Sequence, residues 1–325
     1  MELNCVVDDV SGVEHPLGIV WHTAPSDDDV TSVAAEPAKA PVVRLPDVQE
    51  PANSFAEVWT TGRPVVAGEF DELVYGHDGE YAFCAVQVAP AGRYAPAVRD
   101  AYLSLLLAIA DLGYPHVFRI WNTIPRLTER NADGLEIYQD FCRGRAEAFD
   151  LSPVRLASLP AATAVGGQGD GVIVYLLSRR TEPHLALENP QQVPAYRYPV
   201  QYGARPPAFA RAARTGDHLY LSGTASVLGH ETAHGGDLPA QCRTIFDNLT
   251  ALLATQSADL SALRTIKVYV RHGPDLETVR ALCGQHFAPD ARIDYLVTEL
   301  CRSDLLVQVE AVGRTSPVSS AIVLG

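Results

Sequence analysis

Residues Ile293 to Gly313 read IDYLVTELCRSDLLVQVEAVG. Ile293, Tyr295 and Val297 alternate with polar residues, and Leu305 to Val309 is almost wholly apolar. The segment between them, Cys301-Arg302-Ser303-Asp304, is polar. This pattern predicts two strands joined by a short turn. Glu310 is the last polar residue of the second strand. A carboxylate just past a buried run loses solvation, which raises its pKa and suits it to give a proton near neutral pH. By pattern alone a strand-end residue facing water is the simpler reading, and the rest of the chain has to change those odds.

Upstream of this stretch the pattern predicts a strand at His218–Gly223, a long helix at Leu238–Ala254 capped by Asp237, a strand at Arg264–Val270 and a helix over residues 275–287. The first half of the chain repeats that order. Strands are expected at Val65–Phe70, Glu72–Tyr75 and Tyr81–Val88. A helix at Tyr94–Leu112 ends at Gly113, a strand follows at His116–Trp121, and a second helix at Asp133–Phe149 takes Asn131 or Asp133 as its cap. Gly171–Leu177 is a further strand. Two halves with one order of elements imply a tandem repeat of an α+β module, each a mixed sheet with two helices on one face. The expected division is an irregular arm at 1–54 with one or two short strands, a first module at 55–200 and a second at 201–325. The arm is acidic and rich in Pro and Ala, as in Pro25-Ser26-Asp27-Asp28-Asp29 and Glu36-Pro37-Ala38-Lys39.

The chain has 325 residues, 47% of them hydrophobic, and a formal net charge of -14. That length supports a large core. The charge argues against nucleic acid or an anionic membrane as partner, since both need clustered Lys and Arg. Any anionic ligand has to be held by a local group of arginines against the overall field. No apolar run is long enough to span a bilayer and Met1-Glu2-Leu3-Asn4 does not open a signal segment, so a cytoplasmic protein is expected. The 6 cysteines are widely spaced without a Cys-x-x-Cys pair, which reads as free thiols. His230 and His234 have a ligand-like spacing but fall in a glycine-rich loop without a third strong ligand, so no metal site is expected. Gly166 to Gly171 is a turn, because no helix follows it to make a phosphate loop.

The second module carries an ordered set of short motifs: His234-Gly235-Gly236-Asp237-Leu238-Pro239-Ala240-Gln241, then Phe246-Asp247-Asn248-Leu249, Ile266-Lys267-Val268-Tyr269-Val270, and Leu305-Leu306-Val307-Gln308-Val309-Glu310-Ala311. This set resembles the YjgF/RidA (chorismate mutase-like) fold over about residues 215–313. The resemblance implies small modules that trimerise with ligand clefts between subunits, so this chain is expected either to trimerise through its second copy or to mimic part of a trimer within one chain. Arg292 lies near the position of that family's carboxylate-binding Arg.

Further blocks narrow the likeness. They are Asn131 to Arg145, Leu159-Pro160-Ala161-Ala162-Thr163, Glu188-Asn189-Pro190, Tyr202 to Arg211 and Gly229-His230. With them, residues from about Phe55 to Gly313 resemble the chorismatase family. The resemblance implies a metal-free, cofactor-free enzyme that releases pyruvate from chorismate. It makes Glu310 the acid that protonates the enolpyruvyl methylene, and Arg145 and Arg205 the cations that take the two carboxylates. A planar guanidinium suits a carboxylate because it binds bidentately. Arg145 shares a helix face with Tyr138 and Cys142, and Arg205 sits in a rigid Gly-x-Arg-Pro-Pro loop. Tyr138, Tyr198, Tyr202 and Thr224 complete the implied substrate-binding set. The family divides by product. Gln192, Gly223 and Cys301 stand where the hydrolytic branch tends to have Val, Ala and Ala, so the chain looks like the 3-hydroxybenzoate branch. Gly223 would free a methyl of space beside the ring, Gln192 would hold the ring hydroxyl, and Cys301 would present a soft, weakly acidic group in a catalytic role. The alternatives are chorismate hydrolysis to a 3,4-dihydroxycyclohexadiene carboxylate and pyruvate, imine hydrolysis, or ligand binding without catalysis on the same scaffold.

Overall fold

The structure is a computed structural model that describes residues 2–24, 32–36, 40–47, 54–153, 156–169 and 171–315. Residues 25–29 and 37–39 of the acidic arm, and Asp170 of the glycine-rich turn, lie outside the described residues.

Where it is described, the arm holds four strands and not the one or two expected. β1 (Asn4–Val7), β2 (Gly18–His22), β3 (Ser32–Glu36), β4 (Ala40–Leu45) and β5 (Phe55–Thr60) form a five-stranded sheet in the order β1-β5-β2-β4-β3. β5, expected to begin the first module, belongs to this sheet and pairs with β1 and β2. The strands are short and interrupted, so no periodicity announces them. Burial against the rest of the chain holds them: Leu3, Leu17, Val20, Val43, Leu45 and Trp59 pack in one cluster with Phe83, Tyr175 and Tyr220.

The first module runs β6 (Val66–Phe70), β7 (Leu73–His77), β8 (Tyr81–Val88), α1 (Ala95–Asp111), β9 (His116–Pro125), α2 (Ile137–Leu151), β10 (Ala161–Gly167) and β11 (Val172–Arg179). The second runs β12 (Leu185–Leu187), β13 (Ala212–Thr215), β14 (His218–Ala225), a small ribbon of β15 (Val227–Leu228) and β16 (Glu231–Thr232), α3 (Leu238–Ala254), β17 (Leu263–Val270), α4 (Leu276–His286), β18 (Arg292–Val297) and β19 (Val307–Arg314). The sheet orders are β10-β9-β11-β8-β7-β6 and β12-β13-β14-β19-β17-β18. Reading one order backwards superimposes the copies: β8 on β14, β11 on β19, β9 on β17, β10 on β18. In each copy one pair is parallel, β9 with β10 and β17 with β18. The tandem α+β modules are therefore present, with α1 and α2 packed on one sheet and α3 and α4 on the other.

The stretch Ile293–Gly313 is not a hairpin. β18 and β19 do not pair with each other; both pair with β17, which lies between them. Alternating apolarity marks both segments as strands but is silent on which edges meet. A helix crossover, α4, brings β18 back parallel to β17, and β19 then returns on the other side. The connector from Thr298 to Leu306 is freed to build a wall. Arg271 fixes it, donating to the carbonyls of Leu300 (3.1 Å), Arg302 (2.6 Å) and Leu305 (2.6 Å).

Local capping follows the sequence at α3, where Asp237 accepts from the Ala240 N–H at 3.0 Å. At α2 it differs. The helix starts at Ile137, and Asn131 instead closes the preceding turn by accepting from the Asp133 and Leu135 N–H groups. Asp140 of α2 accepts from the Tyr94 and Ala95 N–H groups and so caps α1. Gly144 lets the helices meet, since a Cβ there would lie 2.3 Å from the Ala95 carbonyl oxygen. These contacts place Tyr138 of α2 beside the second module.

Candidate active site

A cleft of about 520 Å³ opens between the modules. The first contributes Glu136, Tyr138 and Gln139. The second contributes Tyr198, Tyr202, Phe209, Arg211, Gly223, Arg302, Cys301 and Gln308 among others. Of the residues singled out in the sequence, Tyr138, Tyr198, Tyr202, Gly223 and Cys301 line this cleft. Tyr198 and Tyr202 lie 5.5 Å apart by ring centroids, and the Arg302 guanidinium stacks 4.1 Å over Tyr202.

Arg145 lies behind Tyr138. It is 1% exposed and has no carboxylate partner among the described residues. Its neighbours are Cys142, with Nη2 to Sγ at 4.0 Å, the Phe141 ring at 5.2 Å, and the hydroxyls of Tyr102 and Tyr138. Its Nε has no hydrogen-bond partner there. Burial depresses a guanidinium's pKa, but Tyr102, Cys142 and Tyr138 outweigh this and leave it raised. A buried cation without an anion is costly unless an anion arrives. Arg205 is placed elsewhere: it is half exposed and forms a 2.5 Å ion pair with Asp150 at the surface. Its loop directs it outward. Arg211, which sequence reasoning did not single out, takes the place in the cleft. It is 5% exposed and donates to Tyr198 Oη at 2.7 Å and to the Val193 carbonyl.

Two further residues stand one layer back. Gln192 does not line the cleft; its Nε2 donates to the carbonyl of Val227, a lining residue, at 2.9 Å. Thr224 points away from it, because its neighbours Gly223 and Ala225 line the cleft and side chains alternate along β14.

Glu310 departs furthest from expectation. Along β19, Val307, Val309 and Ala311 enter the α3–α4 core, which turns Gln308 and Glu310 to the opposite face. Gln308 lines the cleft and Glu310 lies beyond it, in a buried ion cluster. Glu310 accepts from Arg119 Nη2 at 2.7 Å and Trp121 Nε1 at 2.9 Å, and pairs with Lys267 Nζ at 2.9 Å. Lys267 pairs in turn with Glu57 at 3.0 Å. Burial alone would raise the Glu310 pKa, but Lys267, Arg119 and a Thr163 hydrogen bond outweigh it and hold the carboxyl at about 2. The expected rise is reversed: the group is ionised, and the acid expected from β19 is not in the cleft. Cys301 has the opposite fate, since burial, only partly offset by Arg302, raises its pKa and keeps the thiol neutral. The signal that finds Gln308 is the period of two that relates it to Glu310. The partners of Glu310 come from β9, β10 and β17, and no spacing announces them.

The cluster extends to His22, whose Nδ1 lies 2.8 Å from Asp47 and whose Nε2 lies 3.8 Å from Glu57. Burial pushes the imidazole down, but Asp47 and Glu57 outweigh this and raise it to about 9. A raised folded-state pKa stabilises fully below the ordinary value of 6.5, and the gain is lost as pH rises through about 9. Urea unfolding is expected to lose on the order of 2–4 kcal/mol across that window, and His22→Gln to flatten the loss. A wild-type profile that is already flat there would contradict the pairing.

The fold and cleft define a tandem YjgF/RidA-like enzyme. Residues 57–178 match the family of chorismatase FkbO/Hyg5-like N-terminal domains, and residues 204–314 match endoribonuclease L-PSP. The chain is 46% identical over 289 residues to a 3-hydroxybenzoate synthase of Streptomyces hygroscopicus, covering 84% of this chain and 85% of that one. It is 36% identical over 320 residues to a chorismatase of Streptomyces rapamycinicus, covering 94% of each. A chorismatase crystal structure matches with a TM-score of 0.90 at 34% identity, over 96% of this chain and 98% of that one. The chain belongs to the chorismatase FkbO/Hyg5 family. Among the described residues no helix is long and apolar enough to cross a membrane.

Proposed function

We propose that the protein converts chorismate to 3-hydroxybenzoate and pyruvate in the cleft between its modules. The observation that carries this reading is Arg145, a buried guanidinium with no carboxylate to neutralise it among the described residues. With Arg211 and Arg302 it supplies the cations that a dicarboxylate needs. Chemically, protonation of the enolpyruvyl methylene makes an oxocarbenium ion. The ring C4 hydroxyl then attacks C3 and gives up its proton, which balances the one taken by the methylene, while the C3–O ether bond breaks and its electrons form the ketone of pyruvate. The resulting epoxide opens and loses a ring proton to aromatise. No water is consumed, so the pocket has to keep hydrolytic water from the oxocarbenium carbon. Gly223 and Cys301 both line the cleft, and the neutral Cys301 thiol suits an uncharged wall better than a nucleophile. Glu310 serves here as the group that fixes Arg119 and Lys267 behind β19.

The test is incubation of the pure protein with chorismate, followed by pyruvate assay and chromatography of the ring product. 3-Hydroxybenzoate with equimolar pyruvate is expected. A dihydroxylated cyclohexadiene carboxylate as sole product refutes the intramolecular route, and absence of pyruvate at every pH refutes the activity.

A further inference from the structure

β14 and β19 are neighbours, and their ladder shifts register between Leu221 and Thr224. Gly223 sits in that irregularity. Its N–H donates to Thr163 Oγ1 at 3.1 Å, and the same oxygen accepts from Arg119 at 2.7 Å. The backbone is thus tied to the ion cluster and resists displacement. A Cβ at Gly223 would fall 2.4 Å from Gln308 Nε2 and 2.8 Å from its Cδ, with Thr163 Cγ2 next at 3.3 Å. The space left by the absent methyl is filled by the Gln308 carboxamide, and what an added methyl would move is the free end of a flexible side chain.

Gln308 is 3% exposed, and its Nε2 has no hydrogen-bond partner among the described residues. Buried donors are ordinarily paired, so an unpaired one at the wall of a ligand cleft calls for an acceptor that arrives with the ligand. A carboxamide has no proton to release at working pH; what it offers is a neutral N–H donor.

We infer that Gly223 and Gln308 act as one specificity element, in which Gly223 makes room for the Gln308 carboxamide and Gln308 donates to an oxygen of the bound cyclic carboxylate, fixing the ring's pose. This deepens the function proposed above and rests on it. A Gly-to-Ala change in the cleft then acts through Gln308 and not through ring clearance alone.

The experiment titrates 3-hydroxybenzoate by calorimetry into wild type, Gln308→Met, Gly223→Ala and the double variant, and chromatographs the products of each from chorismate. Met is close in volume and lacks the donor; Gln308→Leu is read in the same way should the Met variant unfold. Each single change is expected to weaken binding about tenfold, the scale of one hydrogen bond, and to shift the product ratio. The double variant is expected to be no worse than the poorer single, because both remove one contact. Effects that multiply, or a Gln308→Met protein with wild-type affinity and products, overturn the inference while leaving the activity standing. A wild type that binds 3-hydroxybenzoate through a coupled pair but releases no pyruvate supports the inference and refutes the activity. A wild type that binds no 3-hydroxybenzoate overturns the inference, while the activity is decided separately by release of pyruvate.

Discussion

Glu310→Gln is expected to lower the unfolding free energy by about 3–5 kcal/mol, because it removes one partner of a buried ion pair and leaves the other uncompensated. The substitution keeps the shape of the side chain but leaves the buried Arg119 without its carboxylate, while Lys267 retains only Glu57. Trp121 Nε1 keeps an oxygen to donate to, so the loss falls on charge. Urea unfolding reads it as a lower midpoint at unchanged slope. Glu310→Gln combined with Lys267→Met is expected to recover part of the loss, since the pair is then removed together. The cluster joins β2 and β5 of the first sheet, β9 and β10 of the second and β17 and β19 of the third, so the destabilisation is felt where the three sheets meet. A variant with wild-type stability and no turnover would instead restore Glu310 to the role of acid.

Replacing Arg145 by Met is expected to reduce kcat/KM for chorismate by roughly a hundredfold or more, the scale of losing a buried charge partner for a carboxylate. The guanidinium is buried against Tyr102, Phe141 and Cys142, so Met retains much of the packing while the cation goes. Arg205→Ala provides the contrast. Its ion pair with Asp150 is exposed, and surface pairs contribute about 0–1 kcal/mol, so activity close to wild type is expected. Steady-state kinetics on the two proteins decides the matter: equal losses, or a larger loss at Arg205, would remove Arg145 from the site.

Periodicity in the chain determined the four helices and the longer strands of the two modules, but not β10, β12 or β13. The motifs from Gly235 to Glu310 identified the module, the recurrence of strand, helix, strand and helix identified the tandem, and the blocks around Tyr138 and Tyr202 led to the residues that line the cleft. Each of these is local, because a helix or strand face is written in residues two to four positions apart. Tertiary structure alone decided three other things. The short strands β1 to β4 form a sheet only because other elements cover them. The placing of β17 between β18 and β19 depends on which strand edges meet, and side-chain alternation carries no record of that. The state of Glu310 depends on Arg119 and Lys267, far away in the sequence. The same buried carboxyl is a raised-pKa acid beside apolar groups and a fixed anion beside two cations, and only the fold brings those cations within 3 Å.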